Sequence, residues 1–158
     1  MVFDGLEDLA RRIDHPDLDV SPRDILVLKN AGPRTPAGMP EAGYLPIPQK
    51  LARSGVKDMI RISDCRMSGT AFGTIVLHVT PEAAAGGPLA LVETGDRIRL
   101  SVHHRRLDLL VDDHILAKRK EAWRAPATPV RGWDRLVNEH ILQSDEGCDL
   151  DFLRCAKS

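Results

Sequence analysis

The apolar positions of the chain recur at several spacings, and each spacing predicts an element. Leu6, Leu9, Ala10 and Ile13 fall at helical intervals, so a short amphipathic helix is expected over Phe3 to Ile13, closed by His15-Pro16. Asp24 to Leu28 is an apolar run that reads as a buried strand. Gln49 to Arg53 fits the end of a short helix stopped by Gly55. Asp58 to Ile62 reads as a second strand, and Thr74 to Val79 as a further strand or a buried helix, which periodicity alone does not decide. Pro81 opens a short helix through Ala85 that Gly86-Gly87 stops. Leu89 to Val92, Arg97 to Val102 and Leu107 to Val111 alternate as half-buried strands do. Asp112 or Asp113 caps a helix to about Trp123, with Ile115 and Leu116 inward and Lys118, Arg119 and Lys120 outward. Trp133 to Leu142 is a last helix, and Gln143 to Ser158 a tail that starts acidic.

Between these elements lie two segments of different character. Asn30 to Pro48 is so rich in proline and glycine that no regular element can form, yet too apolar for a floppy linker. A rigid, partly buried loop is expected there. Ser63 to Gly73 is a second loop of small residues following a strand. The sum is an α+β domain: short strands in a small barrel-like sheet with peripheral helices, a swivelling β/β/α arrangement and not a doubly wound one. Residues 1–124 form the domain proper, and residues 125–158 extend it with a helix and tail.

Composition narrows the function. The 158 residues suffice for one domain with a real core. A formal net charge of -1, with 22 basic residues scattered among 23 acidic ones, gives no footprint for nucleic acid, and 4% aromatics give few stacking platforms for bases. No apolar run spans a bilayer, and the first ten positions include Asp4, Glu7 and Asp8 and lack the cationic start of a signal peptide, so a soluble cytoplasmic protein without membrane partners is expected. Cys65, Cys148 and Cys155 fit a reducing compartment and form no Cys-x-x-Cys pair.

The two loops are the places for chemistry. Glu41 stands among prolines, where a carboxylate could bind a hard divalent cation or simply cap the following helix. Ser68, ahead of Gly69, could project a hydroxyl beside backbone amides able to hold an anion, or could be a plain Ser-Gly turn. Arg66 and Thr70 stand where the serine-hydrolase elbow needs glycine, which excludes that motif. His78 lies in an apolar run and reads as a core residue. His103 and His104 belong to a turn, and His114 and His140 to helices. Trp123 and Trp133 read as packing residues.

The same segments carry a family resemblance. Gly38-Met39-Pro40-Glu41, Arg61-Ile62-Ser63-Asp64, Arg66-Met67-Ser68-Gly69, His78-Val79, Pro81-Glu82-Ala83-Ala84, Gly86-Gly87-Pro88, Asp96 and Arg105-Arg106-Leu107-Asp108 together resemble the C-terminal domain of the dihydroxy-acid dehydratase and phosphogluconate dehydratase family. The Arg66–Gly69 form and the tail from Leu142 to Leu153 look most like its sugar-acid branch, the pentonate dehydratases. The resemblance implies a hydro-lyase that removes water from a 2,3-dihydroxy acid to give a 2-keto acid, with an iron–sulfur cluster and a magnesium ion. It puts the C2 base on Ser68, a magnesium ligand on Glu41 and substrate contacts on Thr70 and Arg66. Arg34-Thr35-Pro36-Ala37 departs from the more glycine-rich stretch expected before Gly38.

Family members are several times longer, and the resemblance implies that their N-terminal domain supplies the cluster ligands, which are absent from this chain. Cys65, Cys148 and Cys155 do not match them. The expectation is a C-terminal fragment or split-gene half, folded but inactive alone. Its expected partners are a sugar acid and the N-terminal dehydratase domain or a full-length dehydratase subunit, in a homo-oligomer. The alternative is a non-catalytic module that binds sugar acids or docks on a dehydratase, and a third possibility is a decayed gene remnant.

Overall fold

A computed structural model describes residues 1–35, 45–69 and 71–154. Glu41 and Thr70 therefore lie outside the described residues, as does Cys155. Helices and strands are mixed, as the α+β reading requires. Four strands, β1 (Val2–Asp4), β2 (Leu26–Lys29), β3 (Arg61–Ser63) and β4 (Ile75–Val76), form a parallel sheet in the order β1-β2-β3-β4. Two more, β5 (Ile98–Ser101) and β6 (Arg106–Leu109), form an antiparallel hairpin.

Register explains the core. Val2 lies opposite Val27, Val27 opposite Ile62, and Ile62 opposite Val76. Side chains alternate along a strand, so these four share one face, which Ala83, Leu89, Val92 and the hairpin residues Ile98 and Leu109 cover. One residue out of step, Phe3, Leu26 and Leu28 point to the other face. There α1 (Leu6–Arg12) brings Leu9, and Ile13, Leu18, Leu45, Met59 and Cys65 complete the cluster. A parallel strand covered on both faces needs an unbroken apolar run, which is what Leu26-Val27-Leu28 provides. Each such side chain, fully buried, contributes about 1.5–3 kcal/mol.

The chain then adds α2 (Gln49–Arg53), closed as expected by Gly55, and single 3₁₀ turns at Ala83–Ala85 and Pro88–Leu91. The helices α3 (Asp113–Ala122) and α4 (Gly132–His140) follow. Several expectations need correction. Phe3 belongs to a strand, because backbone pairing with β2 outcompetes extension of α1. Leu89 to Val92 is a 3₁₀ turn and not a strand, since Leu89 and Val92 point together into the core at i, i+3 spacing. On α3 Arg119 turns inward and bonds Asp96 and the Leu91 carbonyl; of the two apolar residues expected to face in, Leu116 is half-buried and Ile115 is exposed. Lys120 also turns back, to the Gly86 carbonyl. Trp133 is 69% exposed and does not pack.

Candidate active site

Because the sheet is parallel, the segments after β2 and after β3 leave from the same edge, at the carboxyl ends of adjacent strands. Open parallel sheets bind ligands there. The first segment is the one containing Glu41, and the second contains Ser68. Ser68 is half-buried and follows Met67, whose side chain packs into the same cluster as Leu45 and Cys65. The Ala71 amide donates to the Ser68 carbonyl at 2.9 Å, so the chain turns back immediately after the serine. Arg66 is exposed. His78 is exposed as well, with a left-handed backbone (φ 55°), which corrects its reading as a core residue. The run around it is apolar, but the short β4 ends two residues earlier.

Three charged residues beneath the loops are almost sealed from water. Arg61, 2% exposed, points to the same side of the sheet as Leu26. Its guanidinium donates to the Met59 carbonyl (3.2 Å), the Leu45 carbonyl (3.4 Å), the Phe72 carbonyl (2.5 Å) and Asp58 Oδ1 (3.2 Å). Leu45 is four residues after Glu41, and Phe72 four residues after Ser68. One buried side chain thus holds the trailing ends of both loops. Gly73 makes this approach possible: its φ is +103°, and an added Cβ would lie 2.6 Å from Arg61 Nη2. Asp58 accepts from the Thr74 amide and hydroxyl, and its pKa lies below the ordinary carboxylate value. Desolvation opposes that shift, but the two Thr74 bonds and the Arg61 charge outweigh it.

Asp64, just past β3, is fully buried and accepts from the Ala31 amide (3.0 Å) and the Ala83 amide (2.9 Å). It joins the leading end of the first loop to the turn at Ala83. Burial pushes its carboxyl up, against the pull of the backbone amides of Ala83, Ala31, Asp64 and Asn30. Glu82, 1% exposed, accepts from the Arg34 amide (3.0 Å) and from Gln143 Nε2 (2.7 Å). Burial raises its pKa too, and the charge of Asp64 adds to the rise. Gly32 packs against it so closely that a Cβ there would sit 2.6 Å from Glu82 Oε2. Sequence reasoning quoted Arg61, Asp64 and Glu82 within motifs but gave them no role. The available signal was charge inside apolar runs, as for Arg61 between Ile60 and Ile62.

With this geometry established, the comparisons are decisive. The family model described as Dihydroxy-acid/6-phosphogluconate dehydratase C-terminal matches residues 1–148. The chain belongs to this family. IlvD1 of Rhizobium meliloti strain 1021, which carries the name of a dehydratase, is 57% identical over 153 residues, covering 96% of this chain and 27% of that protein. The 6-deoxy-6-sulfo-D-gluconate dehydratase of Pseudomonas putida is 51% identical over 160 residues, 100% of this chain and 28% of its own. The L-arabonate dehydratase of Azospirillum brasilense is 49% identical over 160 residues, 97% and 27% respectively. The chain spans about a quarter of the length of these dehydratases.

The family implies metal cofactors, and the residues present can be tested for fit. Among the described residues no three His, Cys, Asp or Glu side chains gather as a metal site. Cys65 is fully buried in the core, and burial raises its thiol pKa, the reverse of what a thiolate ligand of a cluster needs. Cys65 therefore does not fit an iron–sulfur cluster. No helix among the described residues is long and apolar enough to cross a membrane.

Proposed function

We propose that this chain supplies one wall of the active site of a hydro-lyase that dehydrates a sugar acid to a 2-keto-3-deoxy acid. The observation that carries the reading is the parallel pairing of β2 with β3, which makes the Glu41 and Ser68 segments leave from the carboxyl ends of adjacent strands, while Arg61 at the start of β3 ties their returning ends together. Ser68 is the C2 base. As the alkoxide, its oxygen takes the C2 proton, the C–H electrons form the C2–C3 double bond, the C3–O bond breaks, and the departing hydroxide takes a proton from solvent to leave as water. The resulting enol becomes the 2-keto acid. A serine hydroxyl is a poor base at neutral pH, so it needs a neighbouring cation or backbone dipoles to ionise. Glu41 is the side chain of this chain that would hold magnesium, and Thr70 and Arg66 contact the substrate. Bound magnesium and an iron–sulfur cluster would supply charge stabilisation at the carboxylate and at the departing hydroxyl.

The remaining walls, including the cluster ligands, come from the part of the family's proteins that this chain does not span. The chain acts in the cytoplasm as a swivelling β/β/α domain of a homo-oligomer, without nucleic acid or membrane. The substrate class follows the names of the relatives, whose acids are a pentonate and a sulfohexonate.

The test combines this chain with the preceding portion of a pentonate dehydratase and measures 2-keto acid formation from L-arabinonate and D-xylonate. Activity is expected, falling on the order of 10²–10⁴-fold with Ser68→Ala. Equal turnover by Ser68→Ala contradicts the assignment. Tight pentonate binding by the chain alone, unaffected by Glu41→Gln, is the result that would favour a non-catalytic binding module.

A further inference from the structure

The peptide backbone of Arg34 is gripped from both sides. Its N–H donates to Glu82 Oε2 at 3.0 Å, and its carbonyl accepts from Asn138 Nδ2 at 2.7 Å. Arg34 stands seven residues before Glu41 in the first loop. Glu82 is in turn paired reciprocally with Gln143: Gln143 Nε2 donates to Glu82 Oε1 at 2.7 Å, and the Glu82 N–H donates to Gln143 Oε1 at 2.9 Å. Asn138 lies on α4 and Gln143 three residues past its end. The segment is anchored by buried Val137 and Ile141 and by the antiparallel bridge from Ile141 to Leu150.

Two opposed hydrogen bonds fix the orientation of the peptide planes on both sides of Arg34, where packing alone would fix only their position. Both trace to residues more than a hundred positions later in the chain, directly for Asn138 and through Glu82 for Gln143. We infer that Asn138 and Gln143 are positioning residues for turnover: the C-terminal segment sets the backbone of residues 30–35, from which the segment carrying Glu41 starts. This rests on the reading of that loop as part of the active site. It gives α4 and the tail a task in the reaction beyond covering the sheet.

The reconstituted dehydratase tests it with Gln143→Ala, Asn138→Ala and the paired exchange Glu82→Gln with Gln143→Glu. The exchange preserves every donor and acceptor, because the amide moves to position 82 and the carboxylate to position 143 while an oxygen at position 82 still faces the Arg34 amide. Each alanine variant is expected to lower kcat about 10- to 100-fold with KM changed far less. Amide hydrogen exchange should speed up over residues 30–35 and stay unchanged in β1 and β2, and the paired exchange should restore both readouts. Unchanged kcat in the alanine variants, in an enzyme that Glu41→Gln inactivates, overturns the inference. So does a loss of kcat that leaves exchange over residues 30–35 unaltered. Full turnover by Glu41→Gln would instead bring down the reading of the loop, and it is distinguishable because the exchange comparison does not depend on activity.

Discussion

The frame beneath the two loops and the hairpin with α3 are both tied by arginine and carboxylate, but in opposite surroundings. Arg61 is 2% exposed and spends its donors on three backbone carbonyls and one carboxylate. Arg99, opposite on β5, and Arg106, two residues earlier on β6, are both more than half exposed and share Asp108 at 2.9 and 2.8 Å. In water such pairs gain little, because solvent competes for every donor. Away from water each bond is strong, and each one left unmade is costly. Charge in the frame thus specifies where backbone goes, whereas charge on the hairpin mainly keeps a surface wet. The contact of Arg119 with Asp96, 2.6 Å long and mostly covered, lies between the two.

The comparison can be broken most severely at Arg61. Arg61→Ala leaves the Met59, Leu45 and Phe72 carbonyls without this donor and should cost roughly 3–5 kcal/mol in urea unfolding. Arg61→Lys should recover only part, because an ammonium cannot match the planar fork. Next comes Asp64→Asn. The amide offers one oxygen where the carboxylate offers two, so the Ala31 or the Ala83 amide loses its acceptor, at about 1–3 kcal/mol. Arg119→Ala should cost about 1 kcal/mol, read as loosening of α3 by the fluorescence of Trp123, which packs over Gly86. Arg99→Ala is expected to leave the unfolding midpoint unchanged within error. A hairpin substitution that destabilised as much as Arg61→Ala would erase the distinction.

Acid sharpens the same contrast through opposite signs. Desolvation disfavours the charged form of Asp96, but the Arg119 hydrogen bonds, the Glu93 amide and the Arg119 charge hold its pKa below the usual carboxylate value. Its contribution is therefore complete above the unfolded-state pKa and is lost as pH falls through the lower folded value. Asp64 and Glu82 have raised pKa values, chiefly from burial. Their contribution is present below the unfolded-state pKa and is lost as pH rises through the folded one. On acidification the Trp123 signal of a Trp133→Phe variant should change before hydrogen exchange at residues 31–34 does. The reverse order would contradict the assignment of signs.

Much of the sheet was legible because apolar runs of three or four residues left few alternatives, as at Leu26-Val27-Leu28. The edges were less so. Phe3 read as the start of a helix because the helical spacing that follows it is strong, and its pairing with Leu28 is not local. Lys118-Arg119-Lys120 read as a wet helix face because a charged triplet does not reveal that Asp96 waits 23 residues earlier. At the candidate site, the loops announced themselves through proline, glycine and small residues. The groups that hold them did not. Arg61, Asp64, Glu82 and Gln143 have meaning only through partners far along the chain, and a buried charge looks like any other until its partners are seen.

The central claim is that the Glu41 and Ser68 loops meet at one site. Proximity of those two positions tests it most directly, with Glu41→Cys and Ser68→Cys combined in the full chain, treated with thiol cross-linkers of graded length and mapped by mass spectrometry. A short reagent is predicted to join positions 41 and 68 in the folded protein and to fail in urea. Joining only by long reagents, or equally well in the unfolded chain, would contradict the account.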